Sequence, residues 1–585
     1  MAKILRINMT DRTAKLEELP EAYVHMGGRW LTSTIVHDEV DPQCHPLGPN
    51  NKLVFAPGIV TGTASPTSSR ISVGGKSPLT GGIKEANAGS AFPPSLAAMG
   101  VRAIVVEGQP EEKDKFWLAH MTWDEEAAAP SVEFMPADEY VGRDLYEVFP
   151  ELFERFGDKV SVAGIGTAGE FLYGNSGIVF EDMSRRPSRY AGRGGLGAVM
   201  GSKGLKFIIL DRKGAPGVQL ADKDVFDQGR KKLLAALMEH DITKPKGALN
   251  SYGTAVLVNI VNEAGGLPTR NFSSGRFEGA AQIAGEAIFE GNKERLGKEL
   301  YNHACSPGCV IQCSNTWYKE NGEELVSCVE YESIWALGAD CGIDDLDVGA
   351  ELVKLCNAYG LDTIEAGTTL AVAMEGGLAE FGDGEKAIAL LHEIGKGTPT
   401  GRILGAGTAT AARVLGVKRV PVVKGQSMPA YEPRAIKGIG MTYAISTMGA
   451  DHTSGYTIAP EILGVAGKVD QFDRDKAELV RNFQYATAWI DSTGHCLFIA
   501  FAILDIASGF EGAVEECNGV LGTDWTMDDV NRIGKDVIDK EIAFNRAAGI
   551  SKADDRIPEF MHIEKLPPHD VMWDVPQETL DAVFE

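Results

Sequence analysis

Up to Asp211 the apolar positions fall in short runs, among them NKLVFAPGIV, RISVG, AIVVEGQP and KFIILD, cut apart by Gly, Ser, Thr and Pro. Runs of this length bounded by turn residues predict β-strands. The opening MAKILRINMTDRTAKLEELP alternates apolar and polar residues on either side of TDRT, which predicts a β-hairpin. From Arg212 the period changes. KDVFDQGRKKLLAALMEH and GDGEKAIALLHEIGKG carry apolar residues at helical spacing. VKRVPVVKGQSMPAYEP, residues 417–433, holds three prolines and marks a second boundary. Helical spacing resumes as far as Asn545, and the proline-bearing tail after Arg556 is expected to lie as coil on the surface. The pattern predicts an α+β chain in three parts: β-rich over 1–211, then mainly helical over 212–418 and 419–585. At roughly 150 residues per domain, 585 residues suit three or four such units.

Apolar residues make up 44% of the chain, enough for a large core. The longest apolar run, CLFIAFAIL from Cys496 to Leu504, falls short of the about 20 residues that cross a bilayer, so it is expected to be buried in protein. Net charge is -26 with Lys and Arg scattered, which argues against nucleic acid, whose phosphates need a basic face. No secretion signal is read at the start, and the nine cysteines are odd in number and clustered. Thiols and metal ligation in a reducing cytoplasm are expected rather than disulfides.

HACSPGCVIQCSN, residues 303–315, spaces Cys305, Cys309 and Cys313 by four. Pro307-Gly308 interrupts any helix that would align them, so a loop wrapped around a ligand is the better reading. Paired C-x-x-C zinc knuckles are missing from it. A four-iron cube takes four thiolates, and the remote candidates are Cys328, Cys341, Cys356, Cys496 and Cys517. Cys496 is the most attractive because it closes DSTGHC, one of two stretches sharing the frame Asx-x-x-Gly-x-(Asp/Cys); the other runs from Asn357 to Asp362. Gly192-Arg-Gly194-Gly-Leu-Gly197 fits G-x-G-x-x-G. SRRPSRYA before it reads as no strand, and the gap to KFIIL is too short for a crossover helix, so no nicotinamide site is expected. Gly75-Lys76-Ser77 imitates a phosphate loop but has Arg70 where its first glycine belongs. Tight β-turns account for both stretches. Arg70, Lys76, Arg189 and Arg193 among bare backbone amides would also suit a ligand with several phosphates.

Taken together, SRISVGGKSPLTGGIKEANAG, RYAGRGGLGAVMGSKGLK, CSPGCVIQCSN, VEYESIWALGADCGIDD, NAYGLDTI, KGQSMPAYEPR, GADHTSG and DSTGHC resemble, in order and spacing, the aldehyde:ferredoxin oxidoreductase family of tungsten bis-pterin enzymes. The likeness covers essentially the whole chain. It implies a β saddle forming the base of the cofactor site, two mainly helical domains after it, and a cofactor buried between them. The implied cofactors are tungsten held by two molybdopterins, a magnesium ion bridging the pterin phosphates, and a [4Fe-4S] cluster. By the resemblance Cys305, Cys309, Cys313 and Cys496 ligate the cluster, and Arg70 lies between cluster and pterin. Asn87 and Tyr190 give carbonyls to the magnesium. Gly89, Arg189, Gly192 and Arg193 line the phosphates. The two Asx frames clamp one pterin each, through Asn357 and Asp362 in the first and Asp491, with His495, in the second.

Glu330 and His452 match the family's pair beside the metal. The implied reaction is oxidation of an aldehyde by water to a carboxylic acid, with electrons leaving through the cluster to ferredoxin or a similar carrier. One of the pair would serve the attacking oxygen and the other the carbonyl. Some members bind a separate iron between subunits through Glu-x-x-His; here Glu351 and Lys354 stand at those positions, and no interface iron is expected. Asn357 replaces the usual Asp, and His495 stands where Leu is common. A soluble cytoplasmic homo- or hetero-oligomer is implied, with an iron–sulfur partner subunit as one form of acceptor. A low-potential reductase subunit, for instance acting on an aryl thioester, and a non-catalytic iron–sulfur carrier are the competing readings.

Overall fold

The computed structural model describes residues 3–585. The alternation at the start becomes the expected hairpin: β1 (Lys3–Asn8) pairs antiparallel with β2 (Thr13–Glu18). β3 (Leu53–Pro57), β4 (Arg70–Lys76), β5 (Ile83–Gly89) and β6 (Val101–Glu107) complete a six-stranded sheet in the order β2-β1-β6-β3-β4-β5. A second six-stranded sheet is built from β7 (Trp117–Asp124), β8 (Ala129–Pro136), β9 (Ser161–Gly164), β10 (Ile178–Phe180), β11 (Arg189–Ala191) and β12 (Leu205–Asp211), in the order β11-β10-β9-β12-β7-β8. Side chains alternate across a strand, so β3 serves two cores. Leu53 and Phe55 enter the core between the sheets, and Val54 and Ala56 face the helix Gly28–Glu39 and the helical parts beyond.

A short strand, β11, does precede the glycine-rich stretch, contrary to expectation, and the helix Leu196–Ser202 follows it. The dinucleotide fold is still absent. β12 is antiparallel to β9, β9 to β10 and β10 to β11, so the helix joins two antiparallel strands, whereas a dinucleotide crossover joins parallel ones.

After Asp211 the chain is mainly helical, interrupted by the ribbons Thr316–Tyr318/Glu324–Ser327 and Val422–Val423/Gln426–Ser427. The architecture is therefore α+β, with β-sheets first and helices after. The helix Lys223–Glu239 lies along Ala507–Leu521, tying the two helical stretches together. CLFIAFAIL ends in the helix Ile499–Asp505 and packs against protein. The tail is not a surface coil. Phe560, Met561, Leu566, Trp573, Val575 and Leu580 recur often enough to fix it into the main core, with short helices at Phe560–Ile563 and Gln577–Asp581. Among the described residues no helix is long and apolar enough to cross a membrane.

Candidate active site

Two edge strands, β5 and β11, lie against each other where the sheets meet the helices. An edge strand keeps backbone N–H and C=O groups free for a ligand, and Asn87, Gly89, Arg189 and Tyr190 all stand on these two edges. The β4–β5 register sets Arg70 opposite Gly89 and Ser72 opposite Asn87. A Cβ at Gly89 would come within 3.2 Å of Arg70 Nε, so glycine leaves room for the guanidinium.

The cysteine stretch is a loop, pinned at its base by paired hydrogen bonds between His303 and Ser314. Thr67 joins it to the remote cysteine: its N–H donates to Gly308 O at 2.9 Å, and its own carbonyl accepts from Cys496 N at 2.9 Å. Arg70 Nη2 then donates to Cys496 Sγ at 3.0 Å. The Cys305 thiol is pulled well down by a hydrogen bond with Cys309 and, against burial, by Arg70 and Arg189. Of the other remote candidates, Cys328 borders the site but ties its thiol to Ser188 O at 3.0 Å. Cys341, Cys356 and Cys517 are buried in the apolar core.

The shared Asx frame has a structural cause. Asn357 and Asp491 each occupy the last turns of a helix, and the glycine of each frame caps that helix in the left-handed conformation, Gly360 at φ 78° and Gly494 at φ 91°. Neither tolerates a side chain, for a Cβ would meet Gly166 N at 2.8 Å in one case and Thr61 Oγ1 at 2.2 Å in the other. After the first glycine Asp362 caps the next helix, accepting from Ile364 N at 3.0 Å, and receives Arg193 Nε at 3.2 Å. Asp491 lies 3.3 Å from Arg29 Nη1. Burial, reinforced by Glu85, pushes its pKa up to about 8.

Glu330 follows the ribbon and occupies the position just before the helix Tyr331–Ala336. It accepts from Thr254 Oγ1 at 2.7 Å and lies 3.7 Å from Arg189 Nη1. Its side chain is 25% exposed, to the cavity rather than to bulk solvent. The carboxylate beside His452 is a different one. Glu332, one step into the same helix, lies with Oε1 3.3 Å from His452 Nε2 and accepts from Ala430 N at 3.0 Å. EYES thus holds two candidates, and sequence reasoning chose the one that faces the cysteines. Burial lifts Glu332 to about 8, opposed by the Ala430 N–H and Arg193. Burial lowers His452 to about 4, opposed by Asp451. Lys84 Nζ, 2.8 Å away, and Arg193 hold Asp451 ionised in spite of its burial. Glu85, Lys84 and Asp451 also border the site; they lie within the stretches IKEANAG and GADHTSG but had been given no role.

All these groups surround one cavity of about 370 Å³ where the three parts of the chain meet, within the roughly 300–1000 Å³ of small-ligand pockets. Every residue expected at the site lines it except Cys309, His495 and Lys76, whose ammonium instead donates to Cys44 O at 2.9 Å. Cys309 stands on the loop itself, its thiol paired with that of Cys305 and its Sγ accepting from Gln312 N at 3.4 Å. His495, expected against the cofactor, faces the other way, with Nε2 2.9 Å from Glu516 Oε2 and Nδ1 2.8 Å from Thr493 Oγ1. Among the described residues no three His, Cys, Asp or Glu converge closely enough for a single metal ion. Cys305, Cys313 and Cys496 line the cavity together and Cys309 pairs with Cys305, a set of four thiols such as an iron–sulfur cube takes. Buried polar atoms without partners, Glu85 Oε1, Arg189 Nε and His452 Nδ1, belong to residues that line the same cavity, as a large polar ligand would require.

Family models described as the N-terminal domain and as domains 2 and 3 of aldehyde ferredoxin oxidoreductase match residues 4–212 and 228–585. Tungsten-containing aldehyde ferredoxin oxidoreductases of Pyrococcus abyssi and Pyrococcus horikoshii are each 37% identical to the chain, over 97% of it and 92% of their own length. The WOR-like subunit of an aliphatic sulfonate oxidoreductase of Pyrococcus furiosus is 27% identical over 92% of the chain and 84% of its own. Among solved structures, the BamBC active-site complex of benzoyl coenzyme A reductase superposes with a TM-score of 0.77 at 18% identity, covering 95% of this chain and 90% of that one. At that identity the superposition speaks for the fold alone.

Proposed function

Because the chain belongs to the aldehyde ferredoxin oxidoreductase family, whose two models together match almost all of it, we propose that it oxidises aldehydes with water to carboxylic acids and passes the electrons to a ferredoxin-type carrier. The observation that carries this reading is the Glu332–His452 pair, 3.3 Å apart, in the same cavity as the cysteines. Cys305, Cys309, Cys313 and Cys496 would hold a [4Fe-4S] cluster. The edge-strand carbonyls of Asn87 and Tyr190 would meet a magnesium ion, Gly89, Arg189, Gly192 and Arg193 the pterin phosphates, and Asn357, Asp362 and Asp491 the pterin rings. When bound, the tungsten–pterin group supplies the acceptor for the two electrons removed.

The rest is the work of the side chains. RCHO and H2O become RCOOH, two protons and two electrons, so a base must take a proton from the attacking water. Glu332, titrating near 8, is matched to that task near neutral pH. His452, neutral above about 4, polarises the aldehyde oxygen through Nδ1–H. That tautomer leaves Nε2 as an acceptor facing Glu332, ready to share the proton once the carboxylate has taken it.

Metal and pterin content of protein purified without air tests the reading, together with dye-linked oxidation of an aldehyde. Tungsten, pterin and about four iron atoms per chain are expected, with no further iron at Glu351 and Lys354. Iron alone would leave an electron carrier. A loaded protein that reduces an aryl thioester but oxidises no aldehyde would be the reductase.

A further inference from the structure

His495 turns away from the cofactor cavity and has no part in the reaction above. Thr493 Oγ1 gives its hydrogen to Ile490 O at 2.7 Å, so it accepts from His495 Nδ1, 2.8 Å away. His495 Nε2 lies 2.9 Å from Glu516 Oε2 and 3.0 Å from Ser65 Oγ, and Ser65 donates to the same carboxylate oxygen at 2.8 Å. These groups close a triangle, and all three residues are buried. Each comes from a different place in the chain. Ser65 belongs to the loop before β4, His495 follows the helix Ala477–Thr493, and Glu516 stands on the helix Ala507–Leu521.

The loop that Ser65 ties down is the one that joins the cysteine loop to Cys496. Ser68 Oγ donates back to Ser65 O at 2.8 Å, and Ser69 Oγ donates to Pro307 O at 2.8 Å. Thr67, two residues after Ser65, has φ 56°, a conformation that a β-branched residue keeps only where its surroundings enforce it. Its N–H and carbonyl are the groups that bond Gly308 and Cys496, and its hydroxyl accepts from Val310 N at 3.2 Å. Arg70 ends the loop, with its N–H on Gly494 O at 3.2 Å and its guanidinium on Cys496 Sγ. A donor to a cluster sulfur favours the reduced, more negative state, and such hydrogen bonds help to set the potential. We infer that Ser65, His495 and Glu516 are positioning residues: their triangle anchors the loop 61–70, keeps Arg70 on Cys496 and so holds the cluster at a higher potential. The inference rests on the cluster assigned to these cysteines, and not on which substrate is oxidised.

The test is a redox titration of the cluster followed by EPR. His495→Leu removes both ring nitrogens at similar volume. At a fixed potential the ratio of reduced to oxidised cluster should fall about tenfold, a downward shift of about 59 mV. Arg70→Gln should lower the ratio at least as far, and adding His495→Leu to it should change nothing more, because both act through one contact. Ser65→Ala deletes a single hydroxyl and should give a fall of about threefold, so the test survives a His495→Leu protein that takes up no iron. A potential unmoved in both single variants, or a shift that adds in full to that of Arg70→Gln, would overturn the inference. Peptide-resolved hydrogen exchange of the metal-free protein needs no cluster. Exchange across residues 61–70 should quicken about tenfold in His495→Leu and Ser65→Ala, with the β1–β2 hairpin unchanged. Exchange equal to wild type in both variants counts against the anchor. Wild-type protein that holds no iron, yet shows this contrast, keeps the anchor and fails the cluster assignment alone.

Discussion

Glu330 and Glu332 stand two positions apart, both enclosed, both with pKa values raised by burial, and yet they belong to opposite ends of the cavity. Glu330 keeps company with cations and thiols: Arg189 at 3.7 Å, then Arg70 and Cys305. Glu332 has an imidazole at 3.3 Å and a backbone N–H at 3.0 Å. Arg189 and Arg70 favour the charged form of Glu330 against the burial that raises it, whereas a carboxylate enclosed with a neutral histidine can gain and lose a proton near neutral pH. The first surroundings suit an electrostatic neighbour of the cluster, the second a proton acceptor.

The most drastic way to sharpen this contrast is to remove the cluster end. Cys496→Ala should lose the cluster, about four iron atoms per chain, and with it reduction of a protein acceptor, because the thiol that Arg70 contacts is the one deleted. Iron analysis of protein prepared without air decides it, and an intact cluster signal would reassign the fourth ligand. Glu332→Gln should leave iron and tungsten in place and lower kcat/KM about 10²–10⁴-fold, the usual worth of a positioned base. A variant within a few-fold of wild type would return the role to Glu330.

pH gives a third, smaller effect with a defined sign. Glu332 titrates near 8 in the folded chain against an ordinary 4.5. If it accepts the proton, kcat/KM must rise with pH through about 8, and Glu332→Gln must erase that limb. Stability runs the other way. The folded state binds the proton more tightly, so this residue's contribution is full below 4.5 and is lost as pH climbs through 8. The melting temperature of the metal-free protein should therefore decline over that interval more in wild type than in Glu332→Gln.

Which features were legible in the sequence follows from how local their causes are. The TDRT hairpin, the change of period after Asp211 and the broken cysteine loop depend on neighbouring residues and could be read directly. The Asx frames could also be read, because glycine is required both by a left-handed helix cap and by the close approach of another segment. Glu332 could not be separated from Glu330. Which carboxylate of EYES meets His452 depends on the distant segments that supply Ala430 and Arg189. The outward turn of His495 likewise rests on Glu516, a partner twenty-one positions away on another helix. Trp573 and its neighbours in the tail are buried by tertiary packing that prolines and short spacing concealed.

Glu330→Gln should have the smallest effect and is the most specific to the comparison. The Glu330 carboxylate borders the thiolates alongside Arg189, and its charged form opposes the extra negative charge of a reduced cluster. Removing that charge should raise the cluster potential while kcat/KM changes by less than about tenfold, a step worth ~1.4 kcal/mol of barrier. A redox titration followed by EPR reads the first, and dye-linked assays the second. Should the potential stay fixed while turnover collapses, Glu330 would be acting on the substrate, and the division of labour between the two carboxylates would be the reverse of the one their neighbours imply.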